Sequence, residues 1–128
     1  MQTAEAYARC LALTRAHYEN FPVARLVPGR LRPAVAAVYA FARTADDIAD
    51  EGVDRPGGPI LSVPERLARL RDFENALLAN DPASAPPEWD WIFTAVADTR
   101  EKFNIPASLF QDLLSAFTQD VTVKRYAT

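Results

Sequence analysis

The chain has 128 residues and a net charge of −3, with 49% hydrophobic and 24% charged residues and acid and base interspersed. This is an ordinary globular composition, long enough for one domain with its own core, and it excludes an overall disordered chain and a basic nucleic-acid footprint. The single cysteine, Cys10, rules out an internal disulfide and a cysteine-rich metal site. No basic segment followed by an apolar run opens the sequence, and no apolar run approaches the ~20 residues of a membrane span, so a cytoplasmic protein is expected.

Thr3 is a candidate N-cap for a helix over 4–19, with Tyr7, Leu11, Thr14 and Tyr18 on one stripe. Cys10 sits among its apolar positions and reads as packing rather than as a nucleophile. His17 is the only histidine and, on sequence alone, reads as structural. Pro22, Pro28 and Gly29 break the pattern, so residues 20–31 form a connection, around which Arg25, Arg30 and Arg32 cluster. Pro33 suits the first turn of a central helix over 32–51. Few charges interrupt residues 34–42, which predicts a helix buried on most sides.

Residues 52–63 read as a Gly/Pro-rich loop. Ser62-Val63-Pro64-Glu65 is a capping box with proline in the first turn, and it opens a helix over 63–80. Leu67, Leu70, Phe73, Leu77 and Leu78 form its buried side; Arg66, Arg69, Asp72 and Asn75 point mostly outward. A second Pro-rich loop covers 81–87. In a helix over 88–103, Trp89, Ile92, Phe93, Val96 and Phe103 form a core stripe, and Asn104-Ile105-Pro106 ends it. A last helix, 106–124, turns Leu109, Phe110, Leu113, Leu114, Phe117 and Val121 inward, and Asp120 beside that face reads as a surface acid. Five helical segments without an alternating strand pattern make residues 1–128 a single all-α segment. So much apolar surface needs cover, from a missing portion of the domain or from self-association.

The chemistry gathers at the end of the central helix. On an α-helix Tyr39, Arg43, Asp46 and Asp50 fall within about 60° of arc, with Asp47 at its edge. Val35, Val38, Phe41, Ala42, Ala45, Ile48 and Ala49 make up the apolar remainder. Carboxylates one turn apart repel by roughly 0.2–0.5 kcal/mol on an exposed helix, so something must offset them. A divalent cation held by Asp46 and Asp50, with Arg43 gripping a diphosphate oxygen, is one answer. Pairing of Asp46 and Asp47 with nearby arginines, and Asp50 and Glu51 as plain helix-end residues, is the other. Acids at a helix C-terminus oppose its dipole, which weakens the second. Spacing alone leaves both open.

Three stretches carry a family resemblance. They are His17-Tyr18-Glu19-Asn20-Phe21-Pro22-Val23-Ala24; Leu31-Arg32 leading to Ala36-Ala37-Val38-Tyr39-Ala40-Phe41-Ala42-Arg43-Thr44-Ala45-Asp46-Asp47-Ile48-Ala49-Asp50-Glu51; and Asp112-Leu113-Leu114-Ser115-Ala116-Phe117-Thr118-Gln119-Asp120-Val121-Thr122. Together they resemble the squalene/phytoene synthase family, and within it the hydroxysqualene synthase branch. The resemblance implies an all-α isoprenoid-synthase bundle with two aspartate-rich motifs facing each other across a cavity. Mg²⁺ ions would bridge them to a prenyl diphosphate, farnesyl or presqualene diphosphate. Asp46, Asp47 and Asp50 match the first motif, and the second is expected beyond residue 128, which makes this chain the N-terminal half of the domain and inactive by itself. The segment from His17 to Phe21 matches a phosphate-contacting stretch, although Tyr18 and Asn20 stand where relatives often have serines. Phe21 becomes a wall for an isoprenoid chain, the ring faces of Tyr39 and Phe21 stabilise the cation left by diphosphate loss, and Asp120 becomes a pocket residue. The resemblance further implies a peripheral relation to the membrane.

The rival reading is a non-catalytic helical module whose acidic end binds a partner chain. A di-iron carboxylate bundle fails, because its Glu-x-x-His pairs need more than one histidine.

Overall fold

Pro33 stands in the first turn of α2 (Arg32–Asp46), where its missing N–H costs no hydrogen bond. The computed structural model describes residues 2–17, 29–51 and 61–127, and all side chains within them except those of residues 16, 17, 50, 51, 120 and 122–127. Around α2 lie α1 (Thr3–His17), α3 (Val63–Ala79), α4 (Asp90–Phe103) and α5 (Ala107–Ala127), with 3-10 turns at Gly29–Leu31 and Pro82–Ser84. No strand occurs among the described residues, so the all-α expectation holds. Thr3 is the first helical residue rather than the cap.

α2 packs on α1, α4 and α5, and its two halves do so differently. In the first half Ala36, Ala37 and Ala40 meet Ala6 and Cys10 of α1 and Ala95 of α4. Side chains this small let three helices approach closely. Cys10 is fully buried there, and burial pushes its thiol up to about 12, so it packs and does not react. From Phe41 onward the contacts turn aromatic. Its ring lies 4.9 Å from Phe73, 5.0 Å from Phe110 and 6.2 Å from Phe93, the last two edge to face. Trp89 closes the cluster on Phe73 at 4.8 Å.

The helix ends follow local chemistry. Ser62 Oγ accepts from the Glu65 amide at 3.3 Å and Glu65 Oε1 accepts from the Ser62 amide at 3.0 Å, the capping box read from sequence. Asn80 and Asn104 end α3 and α4 in the left-handed conformation, with φ of 50° and 53°, a place asparagine fills when glycine does not.

Three side chains expected in the core are outside it. Leu78 is 50% exposed, Phe103 47% and Leu109 52%. Arg69, expected outward, is drawn in: its guanidinium stacks 4.1 Å above the Trp89 ring and bridges Glu88 at 2.8 Å.

A polar clasp joins α1 to α4. Tyr7 donates its hydroxyl proton to Asp98 Oδ2 at 2.6 Å, so the buried Thr99 hydroxyl, 2.9 Å away, is left to donate to Tyr7. Lys102 Nζ adds an ion pair to Asp98 at 2.9 Å. Burial, and then the bond to Asp98, push the Tyr7 phenol up to about 12. The Tyr7 bond foremost, with Lys102, holds the Asp98 carboxyl below its usual range. A depressed carboxylate pKa stabilises the fold above the unfolded value of about 3.9, and that contribution is lost as pH falls through the folded value. The melting-temperature gap between the native protein and Asp98→Asn is therefore expected to be constant near neutral pH and to narrow below about pH 4. Melts followed by circular dichroism from neutral to strongly acidic pH check this; a constant gap throughout removes the clasp's charge dependence.

Candidate functional site

α2 does not stop at Asp46. It runs on into a π-helical turn, Asp47–Glu51. The α-helical periodicity expected over 32–51 therefore fails in its last turn. A π turn spends more residues per revolution, so Asp50 is rotated away from the place an α-helix would give it over Asp46. Ile48 and Ala49 are fully buried in this turn, which packs on α3 and α5. Isolated π turns of this kind occur frequently at functional sites.

Beside α2 lies an open groove of about 610 Å³. Val35, Val38, Tyr39 and Ala42 line one side; Phe103, Ile105 and Leu113 line the other. The expectation of a helix buried on most sides is thus corrected. Val35 is 39% exposed and with Ala42 faces this groove, while Val38 lines the groove and also packs against the aromatic core. The half-exposed Phe103 is part of the same surface. Asp46 is four residues beyond Ala42 and seven beyond Tyr39, one and two turns further along the same side of α2. An apolar trough thus leads toward a carboxylate.

Arg43 and Asp47 form an i,i+4 pair, Nη2 to Oδ1 3.1 Å, each side chain 31% exposed. A partly exposed helical pair of this type stabilises by about 0.3–0.5 kcal/mol, so a stronger anion displaces the aspartate from Arg43 at little cost. Arg43 Nε is buried and has no hydrogen-bond partner among the described residues. Asp46 is half-buried beside this pair.

Of the other residues singled out from sequence, Asn20 and Phe21 lie outside the described residues. His17 ends α1, Asp50 is in the π turn and Asp120 is in α5, but their side chains lie outside the description. The structure brings Tyr39, Arg43, Asp46 and Asp47 onto one helix beside the groove. Among the described residues no three ligating side chains converge into a closed metal cage. Asp46 and Asp47 are half-buried carboxylates with hard oxygen donors. That donor set fits Mg²⁺, which takes one or two carboxylates and leaves its other positions to water and phosphate oxygens.

Arg66, expected to point mostly outward, is half-buried and bonded to backbone. Its Nε donates to the Leu61 carbonyl at 3.1 Å and its Nη1 to the Ala49 carbonyl at 3.5 Å, across 17 positions of sequence.

The comparisons with known proteins fall on the same stretch. The squalene/phytoene synthase family model matches residues 13–128. The chain belongs to that family. Hydroxysqualene synthase of Zymomonas mobilis is 36% identical over 111 residues, covering 84% of this chain and 33% of that protein. Phytoene synthase of Rhodobacter capsulatus is 36% identical over 120 residues, covering 93% and 32%. Hydroxysqualene synthase of Rhodopseudomonas palustris is 37% identical over 109 residues, covering 84% and 33%. The alignments thus span about a third of the length of these curated relatives. No solved structure matches the chain. The helices described above are this chain's share of the family's all-α, terpenoid-synthase-like fold.

Proposed function

We propose that this chain forms one wall of the active site of a head-to-head prenyl diphosphate synthase, one that converts presqualene diphosphate to hydroxysqualene with release of diphosphate. The observation that carries the reading is the continuity on α2 between an apolar groove and an acidic turn. A prenyl diphosphate has that polarity: a long hydrocarbon chain and a strongly anionic head. Val35, Val38 and Phe103 take the hydrocarbon and exclude water from it. Arg43 exchanges its weak pair with Asp47 for a forked bond to a diphosphate oxygen. Asp46, Asp47 and Asp50 would hold Mg²⁺, which when bound neutralises charge on the departing diphosphate. Tyr39, on the groove wall, turns its ring to the allylic or cyclopropylcarbinyl cation that remains. His17, Asn20 and Phe21 contact the head group and first isoprene unit, and Asp120 the pocket margin. Among the described residues the groove is open on one side, which a further portion of the domain, or a second copy, would close.

The phytoene and dehydrosqualene branch is the second reading, favoured by the equal identity to the Rhodobacter phytoene synthase. The two differ in the cation's fate, trapped by water or quenched by proton loss. No helix among the described residues is long and apolar enough to cross a membrane, so the proposed relation to a lipid surface is peripheral. The test is product analysis. The full-length gene product is incubated with presqualene, farnesyl or geranylgeranyl diphosphate and Mg²⁺, and the extract is separated by mass spectrometry. Hydroxysqualene is the expected product. Dehydrosqualene or phytoene moves the protein to the other branch, and no diphosphate release from any prenyl donor favours a non-catalytic module.

A further inference from the structure

The carboxyl end of α2 and its π turn carries four acids, Asp46, Asp47, Asp50 and Glu51. Every one opposes the helix dipole, and the last carbonyls of any helix lack intrahelical partners. Left alone, such an end frays. Arg43 answers part of the charge through Asp47. A cation from another helix reaches the carbonyls of the same end. Arg66, in the first turn of α3, spans from the Leu61 carbonyl to the Ala49 carbonyl with one guanidinium. Its own base is rigid, because the Ser62–Glu65 capping box fixes the start of α3 and the Arg66 amide donates to the Ser62 carbonyl at 2.8 Å.

We propose that Arg66 is a positioning residue for the acidic end of α2, holding the backbone of the π turn from which the metal-binding acids depart. The inference rests on the Mg²⁺–diphosphate reading above. The Ala49 carbonyl and the Asp50 amide belong to one rigid peptide plane. Anchoring that oxygen fixes the plane from which the Asp50 Cα departs. Ala49 and Ile48 are fully buried, so the other side of the turn is fixed by packing. Arg66 thus restrains the one side that packing leaves free, and it places a positive charge at the carbonyl end that the four acids destabilise. It touches no substrate and acts only through the turn.

The experiment uses the full-length protein, Mn²⁺ as a spectroscopic stand-in for Mg²⁺, and inorganic diphosphate. Arg66→Ala is expected to weaken Mn²⁺ binding, read by electron paramagnetic resonance, by about tenfold, the usual scale for losing a residue that orients metal ligands. Amide exchange in 47–51 is expected to rise by a similar factor while that of α4 stays unchanged. Arg66→Lys, which keeps the charge and one donor, recovers part of both. Unchanged Mn²⁺ affinity in Arg66→Ala overturns the proposal, as does an exchange increase shared equally by α4, which marks a merely global loss of stability. If Arg66→Ala does not fold, Arg66→Gln takes its place: weaker Mn²⁺ binding supports the role and native binding overturns it. Asp46→Asn separates the two claims. If it binds Mn²⁺ as the native protein does, the metal reading itself fails; if it loses the ion while Arg66→Ala retains it, only the positioning role fails.

Discussion

Asparagine in place of Asp46 in the full-length protein is expected to lower diphosphate release by about a thousandfold, the scale seen when one preorganised electrostatic group is removed from a developing charge. Asp46→Ala and Asp50→Ala are expected to abolish it. The asparagine is nearly isosteric, and Asp46 is only half-buried, so the fold should survive. What disappears is one hard anionic oxygen ligand, for which an amide oxygen is a poor replacement toward a small divalent cation. Asp47→Asn provides the internal contrast. Asp47 is engaged by Arg43 at 3.1 Å, and its loss frees that guanidinium for the diphosphate. Its expected cost is accordingly smaller than that of Asp46. A coupled pyrophosphate assay, with circular dichroism melts to verify folding, measures all of these. Full turnover in both alanine variants would sink the assignment of the stripe.

Much of the helical frame could be read in the sequence because its signals are local. The Ser62–Glu65 box, Pro33 in a first turn and Asn104 at a helix end each act within one turn of chain, and each is where it was expected. What periodicity cannot supply is the extent of the neighbour. Leu78 and Leu109 have the same spacing as buried leucines, yet they are half-exposed. Val35, Val38 and Ala42 pose the same problem with a different outcome. Their apolar character was plain, but a core and an open groove demand the same residues, and only the arrangement of α2, α4 and α5 distinguishes them.

The candidate site divides along the same line. Tyr39, Arg43 and Asp46 share a side of one α-helix, so 3.6-residue spacing was enough to gather them. The π turn broke that arithmetic at Asp50, because hydrogen bonding one residue further along leaves the apolar pattern almost unchanged. Contacts between distant parts of the chain gave no sequence signal at all. Tyr7 and Asp98 are 91 positions apart, and Arg66 reaches back 17 to Ala49. These bonds are made by ordinary surface-type residues whose partners only the fold selects. Membership of the squalene/phytoene synthase family, by contrast, was carried by contiguous wording around the first aspartates, and the match over 13–128 agrees with it.

Phe41→Ala is expected to cost about 3–5 kcal/mol of stability, the scale of truncating a fully buried aromatic ring. Phe41 is fully buried with three aromatic rings within 6.2 Å, drawn from α3, α4 and α5. One residue therefore ties the central helix to all three. Removing the ring loses its transfer free energy, leaves a cavity that rigid aromatic neighbours fill poorly, and forfeits edge-to-face contacts of about 0.5–1.5 kcal/mol per pair. Phe41→Leu keeps most of the volume and is expected to cost much less. The effect extends to the site because Tyr39 and Arg43 flank Phe41 on either side. Where Phe41→Leu folds, a loss of turnover larger than its loss of stability would mean that the ring sets the rotation of α2 toward the groove. Denaturant titration against steady-state turnover separates the two, and a variant as stable as the native protein would contradict the packing described for this helix.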